Sequence, residues 1–495
     1  MAEYLLAHDL GTSGDKATLF TVSGQTVKSV VCPYPTHYFH QGWAEQNPED
    51  WWTAVCQTTR ELLQGIDPSH ILGMSFSAQM QCCLPVDRQG IPLRPAIIWA
   101  DQRAVDETAE LVAKVGFDRI YEITGHRPNP SYTLEKLMWL RTNEPEVYEK
   151  MFRTLHVKDY ILYRLTGSFV TDYSDASGMN LLDLDRREWS QEILEQSGIR
   201  RDVLPELHES TDIVGTVTRA AAEATGLTEG MPVVCGGGDG PCSAVGAGCI
   251  HDGELFSSFG TSAWIAGTSR EKFIDEEKAC MCFGHVIPGR YMPCGTMQAA
   301  GSSYSYIRQL IASDVSYNEL DKMIASAPVG ANGLVFLPYL VGERSPRWDP
   351  DATGAFLGIR MQQTKEDYLR AVIEGVGMNL ALILRTFRKK QMKVDSLILT
   401  GGGAKGKAVS QVLSDIWNAS LKIPDDPENA TSVAAAIIAG VGVGVYKDFD
   451  AVDRFVHFDT EYKPDPQAAR SYEQLLPVFD QSYSILQPFY QLTKK

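Results

Sequence analysis

The chain has 495 residues and a formal net charge of −17, from 45 Lys and Arg against 62 Asp and Glu. A single hydrophobic core rarely extends past about 250–300 residues, so two domains are expected. The excess of acidic residues argues against nucleic acid or an anionic membrane as a partner, and any bound polyanion must meet a local positive potential from backbone N–H groups, lysines or a metal ion.

The first half of the chain predicts a mixture of strands and helices. The segment Asn47-Pro48-Glu49-Asp50 predicts the start of a helix, because it supplies a capping residue, a proline at the first helical position and two acids in the first turn. Helices then alternate with loops through residues 100–200. The predicted strands before that region lie at 4–9, 15–22 and 26–33, as an antiparallel meander, and at 71–78, as a buried strand.

The pattern starts again near residue 230, where a strand enters the glycine loop "CGGGDG". A Gly-Thr-Ser turn between two strands occurs at 11–13 and again at 260–262. We therefore predict a pseudo-duplicated chain, with an N-terminal domain at 1–247 and a C-terminal domain at 248–495. The other predicted elements are helices at 240–248, 365–388 and 407–419, a strand at 396–403, and an Ala- and Gly-rich helix after residue 429.

The start of the chain, an apolar run near its end and the cysteines indicate the cellular compartment. The start "MAEYLLAHDLG" lacks the basic region of a signal peptide. The run Asn429–Tyr446 is predicted as a buried helix and turn, not as a membrane span, because it is rich in Ala and Gly. The ten cysteines form no CxxC pair, so reduced thiols are favoured over zinc sites or disulfides. We expect a cytoplasmic protein.

The turn "DLGTSGDK", residues 9–16, combines two acids with two glycines, two hydroxyls and a lysine. Glycines allow successive N–H groups to point at an anion, and Thr12, Ser13 and Lys16 add donors and a charge. Asp9 beside a phosphate is reasonable only with a cation between them, which makes it a candidate Mg²⁺ anchor. The alternative is a plain hairpin turn with a solvent-exposed Asp9.

Three more glycine loops have a similar character. Asp239 lies in "GGGDG" at the start of a helix, where it could cap the helix or act as a general base at a cleft. A second hydroxyl-bearing turn lies at 259–263, and "TGGGAKGK" at 400–407 opens a helix, as suits a nucleotide. The latter has neither the Walker A nor the Rossmann spacing. Together the loops predict a metal–nucleotide cleft between two lobes.

Two long segments are more specific than any glycine loop, namely "SYTLEKLMWLRTN" at 131–143 and "GAFLGIRMQQTKEDYLRAVIE" at 354–374. They are similar to the two signatures of the FGGY carbohydrate kinases, with Tyr368 as a departure from the second, and the chain resembles this family over about residues 4–460. Residues 338–354 are similar to the family's preceding segment. The resemblance implies an α/β, two-lobed ribonuclease H-like fold of the sugar kinase, Hsp70 and actin superfamily, with an ATP cleft between the lobes.

Within the family, the sugar-binding segments look most like those of the xylulokinases. "SAQMQ" at 77–81 is similar to their SGQMH, and "WADQR" at 99–103 to their WNDQR. Gln81 replaces a histidine, and Ala100 and Gly240 each replace an asparagine. The resemblance implies ATP-dependent phosphorylation of D-xylulose. Another ketopentose, a polyol or autoinducer-2 stays open as the substrate, because changed polar groups alter which hydroxyls a pocket accepts.

The resemblance also implies a role for each candidate residue. Asp239 would be the base that accepts the proton of the sugar hydroxyl, and Asp9 would hold Mg²⁺. The residues implied at the sugar are Met80, Gln81, Asp239, Trp99 and Asp101. Those implied at ATP are Gly11, Thr12, Ser13, Lys16, Gly260, Thr261, Gly402, Gly403 and Ala404. The implied partners are a sugar, ATP and Mg²⁺, with a second copy of the chain in a homodimer.

Two other classes of function stay open at this point. A catalytically silent sugar or nucleotide sensor could have the same fold, although the presence of both Asp9 and Asp239 argues against it. An actin- or Hsp70-like ATPase without a small substrate is disfavoured by the Met80-Gln81 segment and by both family signatures.

Overall fold

A computed structural model describes residues 3–493 as a mixed α/β protein with two seven-stranded sheets. The strands of the first sheet are Tyr4–Leu10 (β1), Gly14–Thr21 (β2), Thr26–Pro33 (β3), Ile71–Ala78 (β4), Ile213–Thr216 (β5), Pro232–Val234 (β6) and Gly237–Gly238 (β7). Those of the second are Leu255–Phe259 (β8), Ala263–Gly267 (β9), Met281–Gly284 (β10), Tyr291–Met297 (β11), Ser396–Thr400 (β12), Ser420–Pro424 (β13) and Phe458–Tyr462 (β14).

The first sheet has the order β5-β6-β4-β1-β2-β3, and β7 also pairs with β4. The pairs β1 with β2 and β2 with β3 are antiparallel, which confirms the predicted meander, and the first pair places Asp9 opposite Lys16. Both β1 and β7 run parallel to β4. Since the carboxyl ends of parallel strands meet at one edge of a sheet, Asp9 and Gly238 lie at the same edge.

The second sheet repeats this plan with the order β10-β11-β9-β8-β12-β13-β14. Its strand β8 is antiparallel to β9 and parallel to β12, just as β1 is antiparallel to β2 and parallel to β4. Each Gly-Thr-Ser turn follows the corresponding strand, β1 or β8. The common plan supports the predicted pseudo-duplication, while the dividing point at residue 247 stays a prediction.

Helices surround the two sheets. They are Pro48–Leu62 (α1), Val105–Val115 (α2), Phe117–Thr124 (α3), Thr133–Asn143 (α4), Pro145–Lys150 (α5), Val157–Thr166 (α6), Tyr173–Ser177 (α7), Gln191–Ser197 (α8), Arg219–Thr225 (α9), Asp239–Gly246 (α10), Gly301–Ile311 (α11), Tyr317–Ser326 (α12), Lys365–Lys389 (α13), Lys407–Trp417 (α14), Ala430–Gly442 (α15) and Pro466–Leu492 (α16). Helices α9, α11, α12 and α16 have no counterpart among the predicted elements.

Short two- and three-stranded sheets complete the strands of the fold. Their strands are His37–Phe39, Trp43–Gln46, Leu84–Val86, Ala96–Ile97, Arg153–Leu155, Val170–Asp172, Leu182–Asp183, Glu188–Trp189, Glu206–His208, Val335–Leu337 and Ala355–Leu357.

Two predicted elements of the second half end earlier than expected. The strand predicted at 396–403 ends at Thr400, because Gly401 has a φ of +85° and leads into a 3₁₀ turn. The helix predicted at 407–419 ends at Trp417, where the next residue adopts the left-handed conformation that terminates helices.

Helix α15 belongs to the second half of the chain but packs on the first sheet. Its buried residues, Val433 to Ala439, join a core with Leu5 and Ala7 of β1. This confirms the prediction of a buried helix for the Ala- and Gly-rich run. No helix in residues 3–493 combines the length and the apolar character needed to cross a bilayer.

Helix α10 lies very close to α15, and Gly246 makes this possible. We expect Gly246→Ala to destabilise the protein, because a Cβ there would lie 1.7 Å from the carbonyl oxygen of Ala430. Overpacking of this kind costs about 1–3 kcal/mol and should lower Tm in a ligand-free thermal melt. Gly402→Ala is the matched control, since a Cβ at that position meets no atom within 4 Å. Equal Tm values for the two variants would contradict the close packing.

Candidate active site

A cavity of about 490 Å³ lies at the carboxyl edge of the first sheet, with walls from both halves of the chain. The second half contributes Ser262, Trp264 and Thr431 among others. The predicted site residues that line it are Asp9, Gly11, Thr12, Met80, Gln81, Trp99 and Asp239. The structure therefore brings together two carboxylates that were predicted from separate loops.

Asp9 is the penultimate residue of β1, and its side chain points into the cavity. The hydroxyl of Thr431, at the start of α15, donates a hydrogen bond of 2.6 Å to Asp9 Oδ2. Burial raises the pKa of Asp9, and the nearby charge of Asp15 acts in the same direction, while the Thr431 bond opposes the shift. Asp9 is thus a partly desolvated carboxylate with a contact to the second half of the chain, not the solvent-exposed acid of a plain hairpin.

Asp239 follows β7 directly and is the first residue of α10. Its Oδ1 accepts a hydrogen bond of 2.8 Å from the N–H of Gly240, so the side chain also satisfies one backbone donor of the helix start. Burial raises the pKa of Asp239 to about 7, and the like charge of Asp9 contributes to the shift. A buried acid whose pKa is raised beside a second carboxylate is typical of catalytic sites.

The turn after β1 keeps its carbonyl oxygens bonded to the protein. The carbonyl of Gly11 accepts from the Tyr34 hydroxyl at 2.5 Å, and that of Thr12 accepts from Gln46 Nε2 at 2.7 Å. The Thr12 hydroxyl accepts from the indole N–H of Trp99 at 2.9 Å. With the carbonyls held in this way, the turn is suited to present N–H groups to an anion.

Ser13 and Lys16 do not line the cavity in this structure. Ser13 is exposed at the tip of the turn. The Lys16 ammonium donates to the side chain of Asn429 and, at 3.3 Å, to the carbonyl of Glu428. The lysine predicted at the phosphates is therefore bound to the segment that leads into α15.

The predicted nucleotide residues of the second half, Gly260, Thr261 and Gly402–Ala404, also lie outside the cavity lining, although Ser262 of the first turn belongs to it. Carbonyl oxygens of Gly260 and Thr261 accept N–H groups at the start of α11, at 2.9–3.1 Å. Gly403 packs against the ring of Phe259, and a Cβ added to this glycine would lie 2.1 Å from the ring. Because β8 and β12 are parallel neighbours, the Gly260 turn and the Gly402–Ala404 turn lie at one edge of the second sheet.

Asp101 differs from the other predicted sugar residues, because the structure does not bring it into the cavity. Its carboxylate accepts from the Arg103 guanidinium at 2.7 and 2.9 Å and from the Ala44 N–H at 2.6 Å, and it is fully buried. All of these contacts hold the loop that carries Trp99. The geometry of Asp101 is that of a structural residue of this loop, and not of a direct sugar contact.

Lys136, in the segment similar to the first family signature, anchors the segment predicted to bind the sugar. Its fully buried ammonium donates to the carbonyls of Gln81 at 2.7 Å, Ile98 at 2.8 Å and Ser131 at 2.5 Å. Burial lowers the pKa of Lys136 to about 8. Since the three carbonyls come from three loops around the cavity, the signature lysine fixes their relative positions.

Sequence reasoning missed one wall of the cavity. Arg127 and Trp348 lie there in contact, with the guanidinium carbon 4.7 Å from the ring centroid. Arg344 is also in the lining, and its side chain makes no hydrogen bond or ion pair with any residue in 3–493. A signal was present, because Arg344 and Trp348 lie within the family-like segment 338–354. No turn or spacing rule showed that their side chains point into a cavity.

Comparison with known proteins identifies the family. Sequence models of the FGGY family of carbohydrate kinases match residues 4–246 with the N-terminal domain and 255–443 with the C-terminal domain. The chain is 34% identical to the xylulose kinase of Staphylococcus epidermidis over 501 residues, which covers 100% of this chain and 97% of that protein.

Two solved structures are similar over essentially the whole chain. The gluconate kinase from Lactobacillus acidophilus has a TM-score of 0.95 at 28% identity, covering 100% of both chains. The ligand-bound xylulose kinase from Lactobacillus acidophilus has a TM-score of 0.94 at 29% identity, covering 99% of this chain and 100% of that one.

The two repeated sheets and the cavity between them therefore define a two-lobed carbohydrate kinase. The chain belongs to the FGGY family of carbohydrate kinases. It is accordingly an ATP-dependent sugar kinase, and the fold class, family and enzyme class predicted from the sequence are confirmed.

The raised pKa of Asp239 has a consequence for stability. Folding raises this pKa from 3.8 to about 7, so the folded chain binds the proton more tightly than the unfolded chain does. The stability contributed by this group is therefore greatest at low pH, falls as the pH rises between these values, and stays low above them. We expect ligand-free Asp239→Asn to melt above the wild type at pH 8, and the difference to shrink toward pH 4.

Thermal melts of both proteins across this pH range measure the effect. Asp314→Asn serves as the control, because Asp314 is an exposed acid that does not line the cavity. A lower Tm of Asp239→Asn than of the wild type at pH 8 would contradict the desolvated state of Asp239.

Proposed function

We propose that this kinase transfers the γ-phosphoryl group of ATP to a hydroxyl of a small ketose, with D-xylulose as the first candidate. One observation carries the proposal, namely that Asp9 and Asp239 line one cavity with the predicted phosphate-binding turn, through Gly11 and Thr12, and with the Met80-Gln81 segment. Phosphoryl transfer needs a proton acceptor, charge neutralisation and in-line placement more than covalent help from the protein. The relatives named xylulose kinase support the choice of sugar.

Asp239 is the group we assign to the proton of the attacking hydroxyl. Burial and the charge of Asp9 raise its pKa to about 7. A base is most effective when its pKa lies near the working pH, because a large fraction of it is then ionised and its affinity for a proton is still high. Its place at the start of a rigid helix, after two closely packed glycines, holds the carboxylate at the cavity wall.

The residues at Asp9 fit a divalent cation. Asp9 and Asp239 face one cavity, and neither forms an ion pair with a Lys or Arg among the described residues. Hard cations such as Mg²⁺ prefer carboxylate oxygens, and Asp9 is the residue that would hold the ion. When bound, Mg²⁺ would neutralise charge on the transferring phosphates.

The nucleotide would extend from the cavity to the second sheet. We assign Gly11, Thr12, Ser13 and Lys16 to the β- and γ-phosphates together with the Gly260–Thr261 turn, and Gly402, Gly403 and Ala404 to adenosine. The first two of these residues line the cavity, and the last three lie at the parallel-strand edge of the second sheet. Lys16 would exchange Asn429 for phosphate oxygens when ATP binds.

A sugar acid is a second candidate acceptor. Arg127 and Arg344 both line the cavity, and the Arg344 side chain has no hydrogen-bond or ion-pair partner within residues 3–493. The Arg127 guanidinium lies over the ring of Trp348. A guanidinium pairs well with a carboxylate, through two parallel hydrogen bonds. The similarity to a gluconate kinase supports this candidate.

Other acceptors predicted from the sequence are another ketopentose, a polyol and autoinducer-2. Gln81 and Gly240, two of the changed positions, both line the cavity and so can affect the choice among them. A cytoplasmic location and a homodimer stay predictions from the sequence.

Replacement of Asp239 tests the base assignment. We expect Asp239→Ala to lower kcat by about 10³-fold, within the usual range for loss of a general base, while the Kd for ATP changes by less than about twofold. A coupled ADP-release assay and calorimetry measure the two quantities. Asp314→Ala controls for folding and expression. A near wild-type kcat in Asp239→Ala would show that another group accepts the proton.

A substrate panel separates the candidate acceptors. We expect ATP turnover in the coupled assay with D-xylulose, and the panel should include D-ribulose, xylitol and D-gluconate at equal concentrations. If the acceptor is a sugar acid, Arg344→Met should raise its KM at least about 10-fold and leave the KM of any neutral sugar within about threefold. If no sugar raises ADP release above the sugar-free rate, the proposed transfer is wrong.

A further inference from the structure

A buried ionic cluster lies behind the cavity wall that carries Asp239. The Lys158 ammonium is 2.7 Å from Asp159, 3.2 Å from Asp172 and 3.6 Å from Asp175. His156 is bonded to Asp175 at 2.5 Å. These five residues, named here the Lys158 cluster, are at most 1% exposed. None of them has a role in the transfer step described above.

Lys158 supplies the positive charge of the cluster. Ligand atoms of His156, Asp159 and Asp175 lie within 4.8 Å of one another, a spacing that a metal ion could use. Burial alone would lower the pKa of Lys158, but the surrounding carboxylates raise it above its usual value. The ammonium therefore stays charged and holds the carboxylates in fixed positions, as a buried charge must be paired to be tolerated.

Asp172 connects the cluster to the peptide before Asp239 through the Ser174 hydroxyl. Its Oδ2 also accepts from the Ser210 hydroxyl at 2.7 Å, and the Ser210 carbonyl accepts from the Gly236 N–H at 2.9 Å. Ser174 Oγ donates to Asp172 Oδ2 at 2.5 Å and accepts from the backbone N–H of Gly238 at 3.0 Å. A serine hydroxyl can donate one hydrogen bond, and Ser174 donates it to the Asp172 carboxylate. A lone pair of Oγ therefore faces the Gly238 N–H. The direction of this hydroxyl is thus determined by Asp172.

The loop has little room to move between its neighbours. A Cβ at Gly237 would lie 2.8 Å from Ser174 Oγ, and a Cβ at Gly238 would lie 2.6 Å from the Met80 side chain. The two glycines therefore allow the backbone to press directly on Ser174 on one side and on Met80 on the other. The peptide that precedes Asp239 is clamped at the point where the side chain enters the cavity.

We propose that Ser174 and Asp172 are positioning residues for Asp239, with Lys158 as the ion that holds Asp172. Neither Ser174 nor Asp172 lines the cavity, so both act through the Gly238 peptide and not on the sugar. The proposal rests on the proposed role of Asp239 as the base. Misplacement of a reacting group by about 1 Å can cost about 10²-fold in rate, which sets the size of the expected effect.

The test compares two hydroxyl deletions in the same buried helix, α7. Ser177 is the matched control, because its hydroxyl donates to the Ser174 carbonyl at 2.6 Å and makes no hydrogen bond to the Asp239 loop. We expect Ser174→Ala to lower kcat by about 10–100-fold, with the KM values for sugar and ATP within about twofold. Ser177→Ala should lower kcat by less than about threefold.

A conservative variant keeps the test decisive if Ser174→Ala does not fold. Ser174→Cys keeps a donor for Asp172 and a weak acceptor for Gly238, so it should recover part of the kcat that Ser174→Ala loses. If Ser174→Ala does not fold, a kcat of Ser174→Cys below that of Ser177→Ala, at unchanged KM, supports the proposal. A kcat equal to that of Ser177→Ala overturns it.

A double-variant measurement separates positioning from general damage. In Asp239→Glu the carboxylate is already displaced, so adding Ser174→Ala should cost less than about threefold in kcat, since the two changes act on one group. The proposal is overturned if Ser174→Ala costs the same factor in both backgrounds, or no more than Ser177→Ala does. A fully active Asp239→Ala would instead overturn the base assignment, which distinguishes the two failures.

Discussion

The site depends on the burial of two carboxylates, Asp9 and Asp239, that the fold holds in one cavity. Parallel pairing of β1 and β7 with β4 brings both to one sheet edge, and burial then disfavours the charge on each. In the proposed mechanism, this burial serves two needs of phosphoryl transfer. Asp9 would attract a cation, and Asp239 would be ready to take a proton.

The two halves of the chain are in contact at Asp9 and at Lys16. Helix α15 comes from the second half but covers the first sheet, and its first residues contact Asp9 through Thr431 and Lys16 through Asn429. The proposed metal anchor and the proposed phosphate lysine are thus bonded to one short segment of the opposite half. Any change in the relation of the halves alters the surroundings of both at once.

The sequence was sufficient to predict the position of a site residue where that position follows from backbone geometry. It was insufficient where the role of a residue depends on which group its side chain contacts. Asp9 and Asp239 stand at strand ends beside glycines, so their convergence could be predicted. Asp101 was predicted from the segment "WADQR", yet its carboxylate accepts hydrogen bonds from the Arg103 guanidinium and the Ala44 N–H. The direction of the Arg344 side chain, like the burial of Lys158, is set by packing between segments distant in the chain, which no local pattern records.

The covalent attachment of Lys158 has a chemical consequence of its own. The Lys158 ammonium lies among His156, Asp159 and Asp175, whose spacing would also suit a dissociable metal ion. Chelators and dialysis remove soluble ions but not a side chain. Removal of the Mg²⁺ ion proposed at Asp9 would therefore leave the Lys158 cluster behind the cavity intact.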